Sequence, residues 1–277
     1  MPTKEVYRFD AVNHRHYLNN NIAPGVSTIA KIGSDANPLI YWNGKMVVSC
    51  LGENTVFKDG KPLFHHPETG EDLLLNENNF STILKYAKSA GAREKDAAGG
   101  RGTRVHDAIH MYWLNDKYSV EPDIQKSFDA FLEWKDRYKA RPLFTERTVY
   151  SLKHRYAGIF DLGCILNIPG KGELTYLIDY KTSKSVYPNH MIQSAGYKIA
   201  DKELYGMEWD ALGILSIHPE TGYPLFLDLL GHHEVLEHAF MRCLDLYKAM
   251  RDVNKVHRTY KKQLDEALAL LEQGGKK

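Results

Sequence analysis

Cysteine is scarce: the 277 residues hold three, Cys50, Cys164 and Cys243, far apart and without CxxC spacing. That argues against a disulfide framework, a Cys-rich zinc site and an iron–sulfur cluster, and for a reducing compartment. No apolar run approaches the ~18 residues a membrane span requires. The opening stretch "MPTKEVYRFD" has no apolar h-region, so neither a leader nor a membrane partner is expected, and the expected location is the cytoplasm. An excess of one charge is also missing, since 36 Lys and Arg balance 35 Asp and Glu. A nucleic-acid partner would therefore need a local basic patch. Internal repeats and low-complexity linkers are absent too, and a chain of this length can bury one substantial core.

Along the chain, "EVYRFD" and "RHYLNNN" read as short strands around a turn. The stretch "NGKMVVSCLGENTVFKDGKPLFHHPETGED" is irregular, with turns expected at Asn43-Gly44 and Asp59-Gly60. "NENNFSTILKYAKSAG" reads as a helix capped by Asn or Ser and ended by Gly91. "GTRVHDAIHMYWLND" and "EPDIQKSFDAFLEWKDRYKA" carry apolar residues at helical spacing. The period then changes to strands in "PLFTERTVYSL", "YAGIFDLGCIL" and "LTYLIDYKT", the last two joined by the turn "NIPGKGE". A helix over "NHMIQSAGYKIADKELY", a hairpin around "PETG" and a long basic helix from His233 follow. The expected fold is α/β, with a mixed central β-sheet flanked by helices.

Two carboxylates, Asp161 and Asp179, stand inside apolar strands where charge is normally excluded. Residues two apart in a strand share a face, so Asp179 and Lys181 point one way and Tyr180 the other. If the strands pair across "NIPGKGE", Asp161 and Asp179 approach each other, and close carboxylates repel unless a cation sits between them. Oxygen ligands suit Mg²⁺ or Mn²⁺, and a neighbouring ammonium can hold or deprotonate a water. The plain alternative is a salt bridge of Lys181 with Asp161 at a sheet end.

Other motifs are weaker. His106 and His110 have the i,i+4 spacing of zinc-chelating histidines, but no H-E-x-x-H pattern accompanies them. "HHEVLEH" at 232–238 fits no zinc motif and reads as a helix start. "GGRGTR" is too short for a phosphate loop. Its glycines are expected to end one helix and let a backbone come close, with Arg101 and Arg104 meeting phosphates. Lys153 and Arg155 sit at an expected hairpin tip, and Lys184 extends that basic patch; the alternative is a solvated turn. Tyr112 and Trp113 read as core.

Taken in order, "G-x-F-D" at Gly158–Asp161, "L-I-D-Y-K-T" at Leu177–Thr182 and "Q-x-x-x-Y" at Gln193–Tyr197 resemble the PD-(D/E)XK nuclease superfamily. The upstream "G-x-x-x-H", Gly102 to His106, narrows the resemblance to the RecB-like exonuclease branch, with its small phage and mitochondrial members. Glu146, on the strand before Asp161, and a loose "PGVSTIAKI" near the start add to it. The acid before x-Lys is Asp where Glu is commoner, which shortens that ligand by a methylene.

The resemblance implies a restriction-endonuclease-like core over 101–277 and an N-terminal elaboration over 1–100. It implies a Mg²⁺-dependent DNA exonuclease in which Mn²⁺ can substitute, serving phage-type replication, recombination or repair in a cytoplasm, or in that of a host. His106, Asp161, Asp179 and the Tyr180 carbonyl would ligate metal, and Lys181 would orient or activate water. Gln193 and Tyr197 would hold the lysine region or the DNA backbone, with Glu146 in support. A catalytically silent DNA-binding module and a structure-specific endonuclease are the alternatives.

Overall fold

A computed structural model of the chain describes residues 6–34, 37–115 and 119–274. Glu5, expected to open the first strand, and Asp116, expected to close a helix, lie outside them. In chain order come strands β1 (Tyr7–Asp10), β2 (Arg15–Leu18) and β3 (Asn21–Ala23), then helices α1 (Val26–Ala30) and α2 (Asn37–Glu53). Strands β4 (Thr55–Lys58), β5 (Lys61–His65) and β6 (Asp72–Leu74) precede helices α3 (Glu77–Lys88), α4 (Ala90–Trp113) and α5 (Gln125–Arg137). Strands β7 (Arg141–Ser151), β8 (Tyr156–Ile168) and β9 (Gly172–Lys181) lead to helix α6 (Pro188–Tyr205). Strands β10 (Ala211–Ile217) and β11 (Pro224–Asp228) and helix α7 (His233–Gly274) complete the chain.

The chain divides into two compact units. The first comprises 1–34, 109–118 and 126–277; the second comprises 35–108 and 119–125. Residue 100, where the sequence suggests a boundary, lies inside α4.

The first unit is built on a five-stranded mixed sheet of order β11-β10-β9-β8-β7. Strands β7, β8 and β9 form an antiparallel meander, β9 and β10 run parallel, and β10 and β11 form a hairpin. A parallel pair requires a crossover, and α6 supplies it. Every residue of β10 is buried, as expected of a strand covered on both faces. On one face Tyr156, Phe160, Leu177, Tyr197, Trp209 and Phe240 form the core with α1, α6 and α7. On the other, Phe131 of α5 packs edge-on to Tyr180, and Trp134 meets Phe226. The Trp113 indole donates to the Tyr180 hydroxyl at 3.1 Å, so Trp113 serves the core as expected.

Helices α6 and α7 touch where Gly196 meets Phe240: a Cβ on Gly196 would lie 2.4 Å from the buried ring. Overpacking of this kind costs about 1–3 kcal/mol. Gly196→Ala is therefore expected to lower unfolding free energy by about that amount in a urea titration; an unchanged midpoint would mean the helices separate freely.

In the second unit a hairpin pairs β4 with β5 through Asp59 (φ 52°) and Gly60 (φ 74°). Two left-handed residues are what a two-residue type I′ turn demands, as "DG" suggests. Asn76 caps α3 by accepting from the Asn79 amide at 3.1 Å. Three sequence expectations fail here. Asn43-Gly44 is not a turn but lies within α2. Gly91 does not end a helix: a Cβ there would stand 2.2 Å from the Asn43 carboxamide oxygen, so this glycine lets the start of α4 approach α2. The glycines of "GGRGTR" lie inside α4 and form no loop, at a cost of about 1 kcal/mol each relative to alanine.

Candidate metal and nucleic-acid site

Cross-strand pairing in the central sheet shifts register between Pro142 and Phe144 and is interrupted again further along the same pair of strands. Between β7 and β8, Arg147 pairs with Phe160 and Thr145 with Leu162, but the pair between them, Glu146 with Asp161, is missing. Between β8 and β9 pairing starts at Leu162–Ile178, so Asp161 and Asp179 stand just past its end. The side-chain alternation shifts there as well. Gly158 and Phe160 approach Tyr197, and Gly163 approaches Trp209, so an odd-numbered residue takes over the α6 side. Glu146 itself has a left-handed backbone (φ 49°), which costs a non-glycine residue about 1–2 kcal/mol. Strain of this kind persists where surrounding structure enforces it, and functional sites are where it concentrates.

The gap is filled by a side chain. The Tyr180 amide donates to Asp161 Oδ2 at 2.5 Å, so the carboxylate stands in for a sheet acceptor. A carboxylate oxygen of Glu146 lies within 4.8 Å of one of Asp161. Both are hard oxygen donors, so together they could hold a divalent cation such as Mg²⁺. Thr145 Oγ1 donates to the Asp161 carbonyl at 3.4 Å and shares a hydrogen bond with His110 Nδ1 at 2.9 Å. His106 lies one turn before His110 on the same face of α4, half-buried.

On β9, Asp179 and Lys181 share the face toward α6, and Tyr180 the opposite one. Asp179 is 2% exposed; its Oδ1 accepts from Gln193 Nε2 at 3.2 Å, and its Oδ2 pairs with the Lys181 ammonium. The lysine therefore pairs with Asp179, where the sequence allowed a bridge to Asp161. Gln193 also donates to the Tyr197 hydroxyl at 2.8 Å. Both residues are buried, and the hydrogen bonds run from Tyr197 through Gln193 to Asp179. Burial pulls the Lys181 ammonium down, but Asp179 and Asp161 outweigh it and leave its pKa raised. Lys181 stays charged; it can hold a water or a phosphate oxygen but is a poor base. Burial first, then the Asp179 charge, holds the Tyr197 phenol well above its usual range.

Three of the five expected basic residues have acidic partners. Arg104 is engaged by Glu121 at 3.1 Å and by Asp123, and Arg101 lies 4.0 Å from Glu94. Lys184 pairs with Glu220. Lys153 and Arg155 are exposed in the turn joining β7 and β8, where the sequence places them.

The left-handed Glu146 and the Thr145–His110 link carry no sequence signal. Glu146 enters the sequence reading only through the family resemblance. No family model matches the chain, and no curated protein does. Among the described residues, no helix is long and apolar enough to cross a membrane.

His190, at the start of α6, is expected to give the region a pH dependence. Its Nδ1 accepts from the Tyr187 amide at 3.3 Å. Burial, then the Lys181 and Lys31 charges, pull its pKa down to about 4. The neutral ring is favoured in the fold, so its contribution is present above the ordinary value of about 6.5 and is lost as pH falls toward 4. His190→Gln is expected to reduce the drop in melting temperature between pH 7.5 and 5. An unchanged drop would show that the ring's protonation is not linked to folding.

Proposed function

We propose that the protein is a divalent-metal-dependent DNA nuclease of the PD-(D/E)XK kind, acting as an exonuclease in phage-type replication, recombination or repair. The observation that carries this reading is the break in the sheet at Asp161. There Glu146 and Asp161 bring carboxylate oxygens within 4.8 Å, and the Asp179–Lys181 pair occupies the neighbouring strand. A salt bridge alone would need neither the missing pairs nor the left-handed Glu146.

Asp161, Glu146, Asp179 and the Tyr180 carbonyl would hold Mg²⁺ or Mn²⁺, with His106 as the nitrogen ligand that the family pattern adds. The ion would supply an activated water and charge stabilisation on the phosphate. Lys181 would hold the attacking water and offset charge growing on the phosphoryl oxygens. Gln193 and Tyr197 would fix the Asp179 carboxylate. Lys153 and Arg155, with Arg101, Arg104 and Lys184, would meet the phosphate backbone. We place the protein in a reducing cytoplasm, that of a host if it is phage-encoded, in keeping with Cys50, Cys164 and Cys243 being free thiols.

The test is incubation with 5′- and 3′-labelled linear DNA, single- and double-stranded, and with closed circular DNA, in Mg²⁺, Mn²⁺ or EDTA. Metal-dependent loss of terminal label from linear DNA alone is expected. Cutting of the circle would make it an endonuclease, and binding without cutting in any metal would make it a silent module. Lys153→Glu with Arg155→Glu is expected to lower DNA affinity and reduce the salt slope by about 2 without changing the melting temperature. An unchanged slope would remove this turn from the interface.

A further inference from the structure

Helix α7 runs from His233 to Gly274, but only its beginning packs on the first unit, through Leu236, Phe240 and Leu244. From Lys248 to Ala269 every residue is exposed. That stretch is roughly 30 Å long at ~1.5 Å per residue. Helices in proteins draw most of their stability from packing an apolar face, and this stretch is exposed along its length. It also exposes large apolar groups, including Val253 at 56% and Tyr260 at 64%.

These groups are not scattered. Leu246, Met250, Val253, Tyr260, Leu264 and Ala267 follow alternating steps of four and three, with His257 in the remaining place and Leu271 continuing the sequence pattern. This is the 3.5-residue repeat of a coiled-coil seam. At ~100° per residue the seam lies roughly 120° around the helix from the face that Phe240 and Leu244 present to the core. It is a second apolar stripe rather than an overrun of the first. Apart from Lys261, which flanks the seam, the charges lie away from it, where Lys255 pairs with Asp252 at 2.8 Å and Lys262 with Glu266 at 3.6 Å.

We propose that this seam binds the same seam of a second copy, antiparallel, to form a two-stranded coiled coil. With the two-fold axis between Arg258 and Thr259, Met250 meets the partner's Ala267, Val253 meets the partner's Leu264, and His257 meets the partner's Tyr260. Met250 then opposes a small residue, Val253 and Leu264 pack together, and the polar seam residue meets a hydroxyl. The seam itself selects the direction. Antiparallel pairing meets His257 with the partner's Tyr260, whereas parallel pairing would set His257 against the partner's His257. The seam spans about three heptads, the length over which a coiled-coil repeat becomes a recognisable signal. The inference does not rest on the reaction proposed above.

The test is sedimentation velocity of the full chain from about 0.1 to 100 μM. A dimer is expected, with Val253→Glu and Leu264→Glu together weakening it at least ~100-fold, because each buries a charge at the seam. Both positions are exposed in the single chain, so the core should melt unchanged while far-UV circular dichroism loses helix signal on dissociation. For direction, Met250→Cys mixed with Ala267→Cys should cross-link on oxidation, whereas Met250→Cys alone should stay at the wild-type background. A monomer at every concentration overturns the proposal, as does a dimer that survives the paired glutamates. Cross-linking of Met250→Cys with itself overturns the antiparallel arrangement. Recruitment of a monomeric chain to anionic vesicles or to DNA through this helix replaces the second copy with that partner.

Discussion

Asp161→Asn is expected to abolish metal-dependent cleavage while leaving the protein folded. The asparagine oxygen can still accept the Tyr180 amide, which Asp161 Oδ2 accepts at 2.5 Å, so the gap in the sheet stays filled. What disappears is the negative charge beside Glu146, and with it the attraction for a hard cation. Loss of a group that merely supports a metal ligand costs about 10–100-fold in affinity or activity. Loss of a ligand should exceed that. Turnover on linear DNA and melting temperature, measured together, check the prediction. Wild-type turnover in a folded Asp161→Asn protein would leave Asp161 as a sheet-capping group only.

Lys181→Ala should separate chemistry from metal binding. The ammonium remains charged and lies against Asp179, so its removal should cost turnover about 10²–10⁴-fold, the usual value of a positioned charge or proton donor. Metal affinity should hold or rise, since a competing cation is gone. The fold will be weakened, because removing one partner of a buried pair costs up to about 3–5 kcal/mol. Assays therefore belong well below the midpoint, with Lys181→Arg as the variant that keeps the charge and recovers the melting temperature. Near-normal turnover in the folded Lys181→Ala protein would reduce Lys181 to a salt-bridge partner and remove the centre of the proposed mechanism.

The mixed α/β sheet is legible because its strands are long, β-branched and punctuated: "NIPGKGE" marks the β8–β9 turn, and the helix period returns at Pro188. The same periodicity places Asp179 and Lys181 on one face. Where local signals compete with packing, sequence reading fails. Asn43-Gly44 has the composition of a turn, yet α2 runs through it, and Gly91 is small because Asn43 lies against it rather than because a helix ends. The partners of Arg104 and Lys184 are far along the chain: Glu121 and Asp123 for one, Glu220 for the other. Nothing local announces that these cations are already engaged. The backbone of Glu146 is the instructive miss. A left-handed backbone is usually signalled by Gly or Asn, and a glutamate in a β-rich run hides it. Only the sheet on both sides forces that conformation and turns its carboxylate toward Asp161.

A Mn²⁺ titration by isothermal calorimetry, on wild type, Glu146→Gln, Asp161→Asn and Lys181→Ala, tests the site most directly. A saturable site in wild type, kept in Lys181→Ala and lost in both Glu146→Gln and Asp161→Asn, is the predicted result. Four superimposable isotherms, or no saturable binding to wild type, would contradict it.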